Sequence, residues 1–144
     1  MNTLNWENVD EIRILRNGGN LFTFDFDNFR YEDAPTVKTV QVVDSHTVDV
    51  TFNKSVTTGQ LTTTNYALSG GGQGTLPNNP NSAVAQGGNT YRLTWISGHM
   101  VDGGDIIITV ANVQDGSGEG MGTPASGTDA GGALPVELST FAIE

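Results

Sequence analysis

Phe22, Phe24 and Phe26 alternate with Thr23, Asp25 and Asp27, and Phe29 and Tyr31 follow at the opposite parity. A two-residue period places one set of side chains on one face of a strand. The segment before it, "VDEIRIL", sets Ile12 and Ile14 on one face, and the Asn17-Gly18 pair between them is a hairpin turn signal. Residues 8–31 therefore predict a hairpin, with a β-bulge at Asp27-Asn28 where the parity changes. Pro35 ends the ladder after the linker "YEDAP".

A second block starts at Thr36. "TVKTVQVVDSH" predicts a strand with Val40 and Val42 inward, and "TVDVTFNK" one with Val48, Val50 and Phe52 inward. A crossing segment leads to a short strand around Tyr66 and Leu68. "GGGQGTLPNNPN" predicts a flexible, turn-rich loop. "SAVAQGGNTYRLTWIS" is a hairpin candidate with Tyr91, Leu93 and Trp95 on one face, followed by the polar turn "GHMVDGGD". "DIIITVANVQD" predicts a strong strand with Ile106, Ile108 and Val110 aligned, and "GSGEGMGTPASGTDAGGA" a long mobile loop. "LPVELSTFAIE" closes the chain as a last strand. Helical periodicity is nearly missing, and β-branched and aromatic residues dominate the apolar set. The pattern predicts an all-β fold: a Greek-key β-sandwich of roughly seven strands, the size of an immunoglobulin-like domain. It follows an N-terminal hairpin. The organisation is residues 1–33 as an N-terminal assembly segment, 34–133 as the sandwich and 134–144 as a C-terminal strand or linker. Each large apolar side chain buried contributes roughly 1.5–3 kcal/mol before entropy, so the nine inward residues from Val48 to Val110 suffice for an independent core.

Composition narrows the setting. The 144 residues carry 16 acidic and 6 basic side chains, a formal net charge of −10. Phosphate binding needs clustered Lys and Arg, so the balance excludes nucleic acid as a partner and disfavours an anionic membrane surface. Charged residues are 15% of the chain and glycines number 19, a composition that suits an extracellular all-β protein. Cysteine is absent, which removes disulfides, thiolate chemistry and the commonest zinc sites. No apolar run approaches the roughly 18 residues of a transmembrane helix, so membrane insertion is not expected. "MNTLNWENVD" has neither the basic region nor the apolar core of a signal peptide, and a secretion signal is expected upstream.

Three stretches carry a family resemblance: "VKTVQVVDSHTVDVTFNKSV", "NYALSG" and "GNTYRLTWISGHMVDGGDIIITVANVQDGSGEGM". Together, over residues 36–124, they resemble the bacterial Ig-like domains of surface-layer and other secreted surface proteins. "LPVELSTFAIE" is similar to a segment common in Bacteroidetes-type proteins secreted by the type IX pathway, whose sorting signal is not present here. "NWENVDEIRILRNGGNLFTFDFDNFRYED" resembles the closing hairpin of a jelly-roll module. The resemblance implies a non-catalytic structural piece of an extracellular surface protein: a spacer, stalk, adhesin or fibre.

Candidate chemistry is sparse. Asp25 and Asp27 share one strand face, which reads first as a solvated face rather than a convergent carboxylate pair. His46 and His99 supply bases for a triad on paper, but no G-x-S-x-G elbow marks a nucleophile. No enzyme is expected. No cofactor is expected either, apart from structural calcium, which takes closely spaced oxygen ligands. Its candidates are Asp25 and Asp27, Asp102 and Asp105, and Asp115 with Glu119, against the plainer reading of Asp as turn chemistry. Trp6, Tyr31 and Tyr66 are the candidates for stacking on polysaccharide, with core packing the plain reading for Tyr66. The surplus apolar strands point to an interface formed by Phe22, Phe24, Phe26, Phe29 and Tyr31, with Val136, Leu138 and Phe141 at the other terminus. Isolated hairpins are marginal in water and open edges recruit another chain. Self-association by strand exchange into a filament is thus the expected mode of use, or contact with neighbouring β-domains. A polysaccharide-binding or spacer module of a larger secreted protein is the alternative.

Overall fold

The computed structural model describes residues 33–131 and Leu134. All of them belong to the unit Glu32–Glu144. The predicted hairpin over 8–31 and the terminal strand beyond Leu134 lie outside the described residues.

Nine strands follow one another among the described residues: β1 (Val37–Asp44), β2 (Thr47–Phe52), β3 (Val56–Thr58), β4 (Tyr66–Ser69), β5 (Ser82–Gly87), β6 (Thr90–Thr94), β7 (Ile106–Val110), β8 (Gln114–Asp115) and β9 (Ser126–Asp129). One 3-10 turn, Thr63–Asn65, leads into β4. Every pairing is antiparallel. A four-stranded sheet has the order β1-β2-β6-β5, a three-stranded sheet the order β4-β7-β9, and β3 pairs with β8. The expected all-β sandwich is the observed architecture. No helix among the described residues is long and apolar enough to cross a membrane.

Local chemistry sets the hairpins. The β1–β2 turn is held by Asp44, whose Oδ1 accepts the His46 N–H at 2.8 Å, an Asx turn that fixes the reversal. It brings Val40 opposite Val50 and Val42 opposite Val48. A register shift between Val37 and Thr39 turns Val37 inward with Val40, although the two differ in parity. The β5–β6 hairpin turns at Gly88 and Asn89, both at positive φ (57° and 65°), as a two-residue turn matched to strand twist requires.

The inner faces meet in one core. Val48, Val50, Phe52, Tyr91, Leu93, Trp95, Ile106, Ile108 and Val110 are all buried, as the alternation predicts. Phe52 and Tyr91 meet edge to face, with ring centroids 5.7 Å apart. Connections add Leu76, Met100 and Val113, which no strand pattern marks.

Two expectations for loops need correction. Residues 70–81 are turn-rich but tied down. The Leu68 N–H donates to the Asn78 carbonyl, Gly72 N–H to Asp105, and Thr75 N–H to His99. Leu76 enters the core, and the Trp95 indole donates to the Pro77 carbonyl at 2.8 Å. Backbone hydrogen bonds to distant residues hold this segment, and they leave no hydrophobic period. The expected long mobile loop after Asp115 contains β9, which pairs with β7 from Ile106↔Asp129 to Thr109↔Ser126. Its sequence, Ser-Gly-Thr-Asp, has no large apolar residue, because Gly127 lies directly against Val37 and Val40 of β1. This seam joins the two sheets along one side. The Val42 N–H donates to Asp129 Oδ2 at 2.8 Å, Val37 N–H to the Pro124 carbonyl, and Gly122 N–H to the Pro35 carbonyl.

Candidate functional site

The apolar interface set, Phe22, Phe24, Phe26, Phe29, Tyr31, Val136, Leu138 and Phe141, lies outside the described residues. So do the acidic candidates Asp25 and Asp27 and the aromatic candidates Trp6 and Tyr31.

The remaining acidic candidates do not converge. Asp115 is buried, and its carboxylate is fully engaged. Oδ1 accepts from the Ser117 N–H, the Ser117 hydroxyl and the Glu119 N–H at 2.9, 2.6 and 3.0 Å. Oδ2 takes the Lys54 ammonium at 2.6 Å. Lys54 also reaches the Asp33 carbonyl at 2.8 Å, so one cation links the entry of the domain, β8 and the turn after it. An ammonium therefore occupies the place a metal ion would take. Glu119 enters this cluster through its backbone alone. Asp102 Oδ1 accepts the Leu134 N–H and Asp105 Oδ1 the Gly131 N–H. These two carboxylates fasten the chain as it leaves β9. Among the described residues no three His, Asp or Glu side chains are grouped to hold a metal ion. Lys54, a single lysine in a polar turn, carries no local mark of its partner 61 positions away, and no sequence pattern singles it out.

The Lys54 hydrogen bond first, and the Ser117 hydroxyl second, hold the Asp115 carboxyl well below the usual carboxylate range. A depressed folded-state pKa adds stability that is complete above the unfolded value of about 3.9. It is lost as pH falls from there through the folded value. Asp115→Asn should therefore lower the melting midpoint at pH 7, and the gap from the parent chain should close on acidification below about pH 4. Thermal melts of both chains from acid to neutral pH check this. A gap that stays constant with pH removes the ion pair as its cause.

Catalytic groups are likewise not assembled. His46 Nδ1 and Ser45 Oγ are 2.8 Å apart, but they are chain neighbours in the β1–β2 turn. No carboxylate among the described residues orients the His46 ring, as a Ser-His-Asp arrangement requires. Among the described residues His99 is bonded through its backbone, to the Thr75 hydroxyl and N–H. Tyr66 is a core residue and not a sugar platform. It is fully buried, and its hydroxyl donates to the Gln60 carbonyl at 2.6 Å. Burial, with Tyr91 nearby, pushes its ionisation above the ordinary tyrosine range. Phe52, Tyr91 and Trp95, the other aromatic residues among those described, are buried as well.

What the described surface offers is strand edges and scattered aliphatic side chains. Leu61, Val84, Ile96 and Val101 are exposed. The β4 edge is closed by the loop before β5: Leu68 N–H donates to Asn78, and the Asn79 side-chain amide donates to the Tyr66 carbonyl at 2.7 Å. The β1 and β9 edges meet at the seam described above. The outer edge of β5 has no strand partner among the described residues. Next to it, Arg92 on β6 forms a two-pronged ion pair with Asp49 on β2, both contacts 2.8 Å.

No protein-family model matches the chain, and no curated protein matches it. Solved structures of a bacterial S-layer protein do. The crystal structure of the S-layer protein rSbsC is 26% identical over 71% of this chain and 14% of that one, with a TM-score of 0.56. The structure of surface layer protein SbsC, domains 1–6, is 26% identical over 67% of this chain and 14% of that one, at a TM-score of 0.52. The N-terminal part of SbsC shares the fold, at 24% identity and a TM-score of 0.52, over 67% of this chain and 23% of that one. The chain thus spans a small fraction of the length of the proteins it resembles.

Proposed function

We propose that this chain is a non-catalytic structural module of a bacterial cell-surface layer or fibre, one β-domain among others in an extracellular assembly. The observation that carries the reading is a sandwich that closes its own core and brings no catalytic or metal constellation together among the described residues. The likeness to parts of an S-layer protein supports it. The strand order, β1-β2-β6-β5 facing β4-β7-β9, is that of an immunoglobulin constant-type sandwich, and it supports the Ig-like part of the resemblance. All of the described aromatic side chains are buried, so the polysaccharide-binding alternative has no stacking surface within the described sandwich.

Assembly proceeds by strand exchange through the terminal segments. The alternation of Phe22, Phe24 and Phe26 predicts an apolar strand face, and the described residues 37–113 supply a buried core of their own. A predicted apolar strand face of this kind is satisfied by adding to a neighbour's sheet. Head-to-tail contacts of that kind propagate as fibres when they do not close into rings. Electron microscopy of the full chain beside a variant lacking residues 1–33 tests the reading. The full chain should form concentration-dependent polymers and the shortened chain should not. A full chain that stays strictly monomeric overturns it.

A further inference from the structure

We infer that β5 is a self-pairing edge: two copies join antiparallel along Ser82–Gly87, so that two four-stranded sheets become one continuous sheet around a twofold axis beside Val84. The edge itself is the first observation. Natural sheets blunt their edges with charge, proline, covering loops or closure. This domain closes the β1 and β9 edges against each other and covers β4 with Asn78 and Asn79. The β5 sequence, Ser-Ala-Val-Ala-Gln-Gly, has no charge and no proline, and no loop covers it among the described residues. Four of its six residues are exposed, and Val84 is 53% exposed.

The backbone shows which residues face outward. The Trp95 N–H donates to the His46 carbonyl and the Phe52 N–H to the Asn89 carbonyl, so Asn89, Tyr91, Leu93 and Trp95 turn their backbone groups to β2, and Arg92 and Thr94 turn theirs to β5. Backbone groups of an antiparallel strand alternate sides. Val84, opposite Arg92, therefore turns its N–H and C=O groups to β6, and Ala83 and Ala85 on either side of it turn theirs to the open side. A twofold axis beside Val84 pairs Ala83 with Ala85 of the second copy through backbone hydrogen bonds and sets Val84 opposite its own equivalent as a non-hydrogen-bonded pair.

Charge argues for a second copy as the occupant. The chain carries −10, so two copies repel over most of their surface. β5 itself adds nothing to this repulsion, because it carries no charged side chain. Thr94 stands opposite Ser82, and Arg92 stands opposite Val84 with Asp49 neutralising it. A neutral, self-complementary strip is what an isologous contact requires. One pair of six-residue strands covers less than the roughly 1,200 Å² of a stable interface, so the contact acts where copies are already concentrated. The inference rests on the assembly reading above for that concentration. It supplies the lateral contact that end-to-end strand exchange lacks.

The absence of cysteine makes the test clean. Directly opposed residues of an antiparallel pair have Cα atoms about 4.5–5.5 Å apart, within the range a disulfide spans. Val84→Cys in the full chain, at high protein concentration with a mild oxidant, should give a covalent dimer. Leu61→Cys, an equally exposed position away from β5, should remain monomeric on the same timescale. In the otherwise unaltered chain, Val84→Lys should remove any dimer seen by sedimentation at high concentration. Failure of the Val84→Cys chain to crosslink, or equal crosslinking at Leu61→Cys, overturns the inference. Polymers without this crosslink count against β5 alone. The crosslink in a chain that never polymerises counts against terminal strand exchange alone.

Discussion

Trp95→Ala should cost about 3–5 kcal/mol of folding stability, the range for emptying a large buried aromatic site. Trp95 is 1% exposed and heads the fully buried side chains by volume. Its indole N–H also donates to the Pro77 carbonyl at 2.8 Å. Removing it leaves a cavity between the sheets and frees an anchor of residues 70–81, the loop that closes the β4 edge. Small domains are stable by only about 5–15 kcal/mol, so the variant should unfold well below the parent's denaturant midpoint. Urea titration followed by circular dichroism measures the difference. Trp95→Phe keeps most of the volume and loses the donor, so it should fall between the two. A Trp95→Ala midpoint within error of the parent would mean that this residue does not close the core.

Gly127→Val should destabilise the domain by about 1–3 kcal/mol through overpacking. A Cβ at Gly127 would lie 2.7 Å from Val37 Cγ1 and 2.7 Å from Val40 Cγ2. Valine side chains are stiff about χ1 and cannot swing aside, so β9 or β1 must move. That movement opens the seam where Val42 N–H meets Asp129 and Val37 N–H meets Pro124. Amide exchange at Val37 and Val42 should accelerate more than exchange at Val48 or Val50, which sit between two strands of the same sheet. Gly116→Ala is the control. Its Cβ would meet only Thr57 Cγ2 at 3.9 Å, and surface changes of this kind usually stay within about 0.5 kcal/mol. Equal effects at the two glycines would dismiss the seam as a packing constraint.

How far the sequence could be read follows from the range of each interaction. Val48-x-Val50-x-Phe52 and Tyr91-x-Leu93-x-Trp95 are local two-residue alternations, and all six side chains are inside. Ile106-x-Ile108-x-Val110 behaves the same way. Leu76, Met100 and Val113 are equally buried but lie in connections. Their burial depends on where the loop crosses the end of the sandwich, which no period records. β9 escaped notice because its inward position is a glycine. The packing constraint there was written in Val37 and Val40, some ninety positions earlier.

The candidate chemistry divides along the same line. Asp102, Asp105 and Asp115 were visible as acidic residues in turns. Turn chemistry and calcium ligation draw on the same residue types, so spacing alone left both open. The fold separated them by bringing Lys54 to Asp115, and the backbone of Gly131 and Leu134 to Asp105 and Asp102.

Alone, then, the sequence determined an all-β chain, the inward faces of its principal strands and an acidic cysteine-free composition. Each of these is local or additive along the chain. Only the tertiary structure decided the strand order, and with it which strand edges are closed and which is open among the described residues. An edge is a property of neighbours in a sheet. Ser82–Gly87 looks like any other short polar strand until β6 lies on one side of it and, among the described residues, no strand lies on the other.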